Sequence, residues 1–155
     1  AAIREAQESR GLGDVYKRQV LLEKKIDLIT GKAIALVTNQ TGVDRYGVPN
    51  YKRLLALDDI YLKVIFSPEH GLFGEADEKI TYDKKIADLP EVFSLYGTVR
   101  KPTSEMLQGV DLIIYDIQDI GARFYTYIST LGLVMESAAE LQIPVLVLDL
   151  SLIHI

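Results

Sequence analysis

The chain has no cysteine among its 155 residues, which excludes a disulfide framework and a thiolate metal site. Histidine is scarce, with only His70 and His154 present. A transition-metal centre wants more imidazole than that, and only carboxylates remain to hold Mg²⁺ or Ca²⁺. No apolar stretch reaches the roughly 18 residues of a membrane-spanning helix. The formal net charge is -5, and there is no basic run and no aromatic platform flanked by Lys or Arg. Nothing here suggests a field that would attract phosphates, which argues against a nucleic-acid partner. Internal repeats and low-complexity tracts are missing as well. GLFG (Gly71 to Gly74) has too few glycines and no lysine for a phosphate loop, and GVDRYG is equally weak as a nucleotide fingerprint.

The N-terminal stretch AAIREAQESRGLGDVYKRQ lacks the apolar core of a signal peptide. Within it, GLGDVYKRQ (Gly11 to Gln19) resembles translated adaptor read-through at the end of a metagenomic fragment, and so does the closing LSLIHI. Two such tails on one chain set residues 1–19 and 150–155 apart as non-native, and they remove His154 from the functional reading. The natural protein is then expected to continue past Asp149, with the working domain at residues 20–149.

What is present is enough for one domain with a real core, since 48% of residues are hydrophobic against 25% charged. VLLEKKIDLI (Val20 to Ile29) reads as a short amphipathic helix ended by Gly31. AIALV (Ala33 to Val37) is a buried strand running into the polar turn TNQTG, and Asn50 is placed to cap a helix through Leu57. Further buried strands are expected at Tyr61 to Phe66, Val110 to Ile117 and Pro144 to Leu148. Between the last two, Phe124, Ile128, Leu131, Met135 and Ala138 predict a helix over Arg123 to Leu141 with one apolar face. Gly71 to Gly109 is the irregular part, expected to leave the sheet, fold over the strand ends and carry a short helix from Thr103 to Gln108. Continuous apolar strands alternating with helices predict an α/β fold, a mostly parallel sheet with helices on both faces.

Such sheets bind ligands beyond the carboxyl ends of their strands, and each strand here ends in polar residues. The first delivers Thr38, Asn39, Gln40 and Thr41, and the second Ser67, Glu69 and His70. The third delivers Asp116, Gln118, Asp119 and then Arg123, and the fourth Asp149. Carboxylates, amides, an arginine and tyrosines suit a sugar or another hydroxyl-rich ligand. Glycoside cleavage needs a carboxylic acid to protonate the leaving oxygen and often a second carboxylate. Glu69, held between a proline and a glycine in SPEHG, fits the first role, and Asp116 or Asp119 the second, with His70 beside the acid. The plainer readings stand next to these: Glu69 as a solvated turn carboxylate, His70 as an ordinary hydrogen-bonding residue, Asp119 as a helix cap, Arg123 as its ion-pair partner, and Asn39 as a turn former.

Five stretches in order, LVTNQTGVD, FSPEHGLFGEAD, SLYGTVRKPT, DIQDIGARFYTYISTL and VLVLD, resemble the bacterial exo-β-N-acetylmuramidases of the NamZ type, a family long labelled a domain of unknown function. The resemblance runs from about Leu21 to Asp149. It implies a Rossmann-like N-terminal domain followed by a second domain, with the active site in the cleft between them, and no cofactor. It also implies release of N-acetylmuramic acid from the non-reducing end of peptidoglycan fragments during wall turnover, in a periplasmic or secreted setting. Carried onto this chain, it marks Glu69 as the catalytic acid with His70 and Asp119 beside it. Asn39, Gln118, Arg123 and Tyr125 would line the sugar pocket, and Arg123 or Arg100 would hold the lactyl carboxylate. In the family the last strand continues into an arginine-proline-asparagine-proline turn, whereas here VLD passes into LSLIHI, so the second domain of the same protein is the partner this chain lacks. A module that holds an amino sugar or muropeptide without cleaving it is the alternative, and a hydrolase using Glu69, Asp116 and Asp119 as metal ligands is a third reading.

Overall fold

The central apolar runs, Ile34 to Val37 and Leu112 to Tyr115, are continuous because both faces of the sheet are covered there. The structure is a computed structural model and describes residues 20–69, 71–73, 89–118 and 126–149. Five strands stand among them: β1 (Ala33–Thr38), β2 (Tyr61–Ser67), β3 (Glu91–Ser94), β4 (Leu112–Asp116) and β5 (Val145–Asp149). They form one sheet in the order β3-β2-β1-β4-β5, and every pairing is parallel. Alternate residues of each strand point to opposite faces. Ala35 and Val37 of β1 join Val64, Phe66, Ile113 and Tyr115 in one apolar cluster, while Ile34 and Leu36 join Ile65, Ile114 and Leu148 in the other. The helix α1 (Asn50–Leu55) closes the second cluster with Tyr51 and Leu54, and α2 (Tyr127–Glu140) closes the first with Leu131, Val134 and Ala138. Each such aliphatic side chain, fully buried, contributes about 1.5–3 kcal/mol. No helix among the described residues is long and apolar enough to cross a membrane.

Lys63, the one charge in the second apolar run, sits at an irregularity. Ile34 pairs with Leu62 and Ala35 with Val64, so Lys63 is the extra residue of a bulge. The bulge releases its ammonium from the packed faces, and its Nζ donates to the carbonyl of Gln108.

Several local expectations differ from the structure. The helix expected over Val20 to Ile29 is broken: residues 20–24 are helical, and a separate 3₁₀ turn follows at Ile26–Leu28. LPEVFSLYG was expected outside the sheet, yet Glu91–Ser94 is edge strand β3, parallel to β2. Phe93 stacks against Phe66 there, at 6.0 Å between ring centroids. The segment after Thr103 forms turns rather than a helix, with Leu107 N–H on Thr103 O at 3.1 Å. The apolar face expected of the long helix is rotated. Ile128 and Met135 are exposed, and the buried stripe is Tyr127, Thr130, Leu131, Val134, Ser137 and Ala138. Two hydroxyl residues fit that stripe because each satisfies itself on a carbonyl: Thr130 on Thr126 O at 3.2 Å and Ser137 on Pro102 O at 2.8 Å. Phe124 and the start of the expected helix lie outside the described residues.

Candidate active site

With the order β3-β2-β1-β4-β5, the chain leaves β1 to one side and β4 to the other, so the strand order reverses between them. That crevice, at the carboxyl ends, is where open parallel sheets bind ligands. β1 ends there in Thr38, β4 in Asp116, and Asp149 of β5 pairs with Asp116 after a register shift that skips Leu148.

A buried network spans the crevice. Asn50 Nδ2 donates to Asp116 Oδ2 at 2.7 Å and to Thr38 Oγ1 at 2.8 Å, and Thr38 Oγ1 donates to the Asp116 carbonyl at 3.0 Å. Thr38 and Asp116 are wholly buried and Asn50 nearly so. Burying a carboxylate requires donors of this kind. Asn50 was expected to cap a helix. Instead it is the first residue of α1, with Pro49 at the cap position, and its amide is turned inward to Asp116. Asp116 thus lies beneath the rim, holding β1, β4 and α1 together.

Above it runs a second chain of bonds. Gln118 N–H donates to Thr41 Oγ1 at 3.0 Å, and that hydroxyl donates to Asn39 Oδ1 at 2.6 Å. Asn39 Oδ1 also accepts Thr41 N–H at 3.0 Å, so the loops after β1 and β4 are fastened to each other. The Asn39 side chain is buried.

Glu69 stands in the turn after β2. Gly71 N–H closes that turn on Pro68 O at 3.1 Å, and Gly71 takes φ 69°, a left-handed conformation for which glycine is suited. Pro68 is buried, so the turn is anchored and Glu69 is half-buried at the rim. Its Oε2 accepts the Thr126 hydroxyl at 2.8 Å. Thr126 holds the cap position of α2 but makes no side-chain cap bond, and its hydroxyl donates to Glu69 instead.

The structure therefore brings Asn39, Gln118 and Glu69 to the carboxyl end of adjacent strands. Arg100 is exposed in the loop after β3, with Nε on Gly97 O at 3.5 Å. His70, Asp119, Arg123 and Tyr125 lie outside the described residues. Among the described residues no group of three His, Asp or Glu is placed to hold a metal ion; Asp119 of the metal reading is not among them. Two participants were not placed at the site by the sequence reading, Asn50, taken for a cap, and Thr126. For Thr126 a signal existed, a threonine directly before an apolar periodic run.

The fold is that of a Rossmann-like α/β domain, with a carboxylate-bearing rim at its strand ends. The chain belongs to the family described as "Exo-beta-N-acetylmuramidase NamZ, N-terminal", whose model matches residues 34–151. It is 46% identical over 124 residues to the peptidoglycan beta-N-acetylmuramidase NamZ of Bacillus subtilis (strain 168), covering 78% of this chain and 30% of that protein. Two crystal structures of DUF1343 family proteins from Bacteroides fragilis are similar. One has a TM-score of 0.78 at 40% identity, covering 88% of this chain and 34% of that one. The other has a TM-score of 0.63 at 30% identity, covering 85% and 33%. The chain thus spans about a third of the length of these relatives.

Proposed function

We propose that this chain is the N-terminal domain of a glycoside hydrolase that releases N-acetylmuramic acid from the non-reducing end of peptidoglycan fragments, with Glu69 as general acid. Family membership and the name of the Bacillus subtilis relative support the reaction class. The observation that carries the residue assignment is the Thr126–Glu69 bond. It fixes a carboxyl group, half out of water, at the ligand-binding end of the sheet. With Oε2 occupied by the Thr126 hydroxyl, Oε1 is left to carry the proton that passes to the glycosidic oxygen as the bond to the anomeric carbon breaks. In this reading His70 and Asp119 flank the acid, Asp119 being the second carboxylate. Asn39, Gln118 and Tyr125 line the sugar pocket. Arg123 or Arg100 pairs with the lactyl carboxylate, a bidentate geometry to which a guanidinium is suited. The second domain of the same protein supplies the other wall of the cleft, and the setting is the periplasm or the cell exterior.

The test joins this chain to the remaining portion of the Bacillus subtilis relative and offers a chromogenic β-glycoside of N-acetylmuramic acid. Cleavage is expected, and Glu69→Gln should lower kcat by about a hundredfold or more, the scale of general acid catalysis, with an unchanged melting midpoint. A protein that binds the sugar and releases nothing, with or without Glu69, would instead be a muropeptide-binding module.

A further inference from the structure

α2 carries an exposed apolar face. Ile128 is 48% exposed and Met135 51%, and Gly132 and Ala139 are exposed with them. Spacings of four, three and four put these residues on one side of the helix. Single exposed apolar side chains are ordinary on a protein surface, but the glycine among these is not. It lies inside a helix of 14 residues, where glycine is destabilising relative to alanine. Its φ is not positive, and a Cβ placed on it would meet nothing within 4 Å. Neither the backbone conformation nor the surrounding packing calls for a glycine at this position. The close approach of another backbone from outside does.

The neighbours of α2 show which way this face looks. Ser137 Oγ donates to Pro102 O at 2.8 Å, and Lys101 Nζ meets Glu136 Oε1 at 2.7 Å and Glu140 Oε1 at 3.1 Å, so residues 101–102 lie along one flank of the helix. That segment runs on to Gln108, whose carbonyl accepts Lys63 of β2. The occupied flank is thus the one towards β2, and Ile128, Gly132, Met135 and Ala139 stand on the other, towards β5. Among the described strands β5 pairs with β4 alone, and its Val147 is exposed. Crossovers between parallel strands are right-handed. Accordingly the step from β1 to β2 carries α1 on one face, and the opposite step from β4 to β5 carries α2 on the other. A further parallel strand beside β5 would bring its crossover helix to the face of α2, on the β5 side. The family region matched is described as N-terminal, and the chain covers 30%, 34% and 33% of the three relatives, so most of the length of those proteins lies beyond the segment it matches.

We propose that Ile128, Gly132, Met135 and Ala139 form the seat of a helix that follows β5 in the full-length protein, crossing α2 closely at Gly132 on its way to a further parallel strand beside β5. The glycine lets the helix backbones approach, and Ile128 and Met135 pack on either side of the crossing. One crossover unit then covers both the open edge of β5 and the apolar face of α2, and the sheet domain extends beyond Asp149. The inference is independent of the reaction assigned to the strand ends.

The test compares the 155-residue chain with the same chain joined to the remaining portion of the Bacillus subtilis relative. In the short chain Gly132→Gln should raise the melting midpoint by about 2 °C, since glutamine is the better helix former and its side chain meets open space. In the joined protein the same substitution should lower the midpoint by several degrees, because the side chain then enters a packed contact. The chain has no cysteine of its own, so Ile128→Cys gives a second reading once any cysteine of the joined portion is changed to serine. Its thiol should react with a maleimide about tenfold more slowly in the joined protein than in the short chain, the contact having to open first. A midpoint that rises in both proteins overturns the proposal, and so does equal labelling in both. A short chain that sediments as a dimer with the Ile128→Cys thiol protected overturns it as well, and gives the face to a second copy.

Discussion

The Thr126 hydroxyl meets Glu69 Oε2 at 2.8 Å, joining the turn that ends β2 to the residue before α2. Among the described residues this bond orients the carboxylate and so decides where its free oxygen points. In the full-length protein, Thr126→Val keeps the shape and removes the donor. Steady-state kinetics should show kcat falling about tenfold, the worth of one hydrogen bond to a charged group, with KM nearly unchanged. Thr126→Ser restores the hydroxyl and should restore most of the rate. Thr126 is exposed, so the valine variant should lose under about 1 kcal/mol of stability. A fall in KM-dependent binding with kcat intact would make the threonine a substrate contact instead.

Gly42 makes the buried network possible through closeness. A Cβ there would stand 2.2 Å from Thr38 Oγ1 and 2.5 Å from Asn50 Nδ2, the two groups that reach Asp116. Neither can retreat without giving up its bond. Gly42→Ala is expected to cost about 3 kcal/mol, at the upper end for overpacking, read from urea unfolding. Asn50→Ala takes one donor from a buried carboxylate and should cost about 2–3 kcal/mol. The double variant should cost less than the sum, because removing the Asn50 amide also clears part of the clash. Strict additivity would mean that the two residues do not act through one network.

The sheet was legible because burial on both faces writes uninterrupted apolar runs, as in Ile34 to Val37 and Leu112 to Tyr115. The rim was legible because those runs stop in polar residues at their carboxyl ends. Edge strand β3 was not, since Glu91, Phe93 and Ser94 keep some exposure and four residues make a weak pattern. The burial of Thr130 and Ser137 was hidden for a different reason: a hydroxyl that bonds a nearby carbonyl is acceptable in a core, and hydropathy periodicity counts it as polar. Asn50 was misread because a cap and a long-range donor use the same side chain. Only the tertiary position of Asp116, 66 residues away, separates the two roles.

The loop from the rim back to α1 should respond to acid through Asp44. Its Oδ1 accepts Tyr46 N–H at 2.8 Å and Val48 N–H at 2.9 Å, and its Oδ2 accepts Arg53 Nε at 2.8 Å. Burial pushes its carboxyl pKa up, but the Val48 amide, the Arg53 side chain and the Tyr46 amide outweigh that, and the net displacement is below the ordinary 3.8. A carboxyl group lowered on folding contributes stability at pH values above its ordinary value, and the contribution is lost as pH falls through the lowered one. Asp44→Asn keeps an acceptor for the two amides and loses the attraction to Arg53. Because Arg53 is 41% exposed, the loss at neutral pH should be no more than about 1 kcal/mol. Urea unfolding across a pH series should show the gap between the two proteins widest near neutrality and closing below 3.8. Since Val43 and Pro49 pair across this loop and deliver Asn50 to Asp116, the same titration should loosen the floor of the candidate site. A gap that stays constant down to low pH would show that the Asp44 charge plays no part in holding the loop.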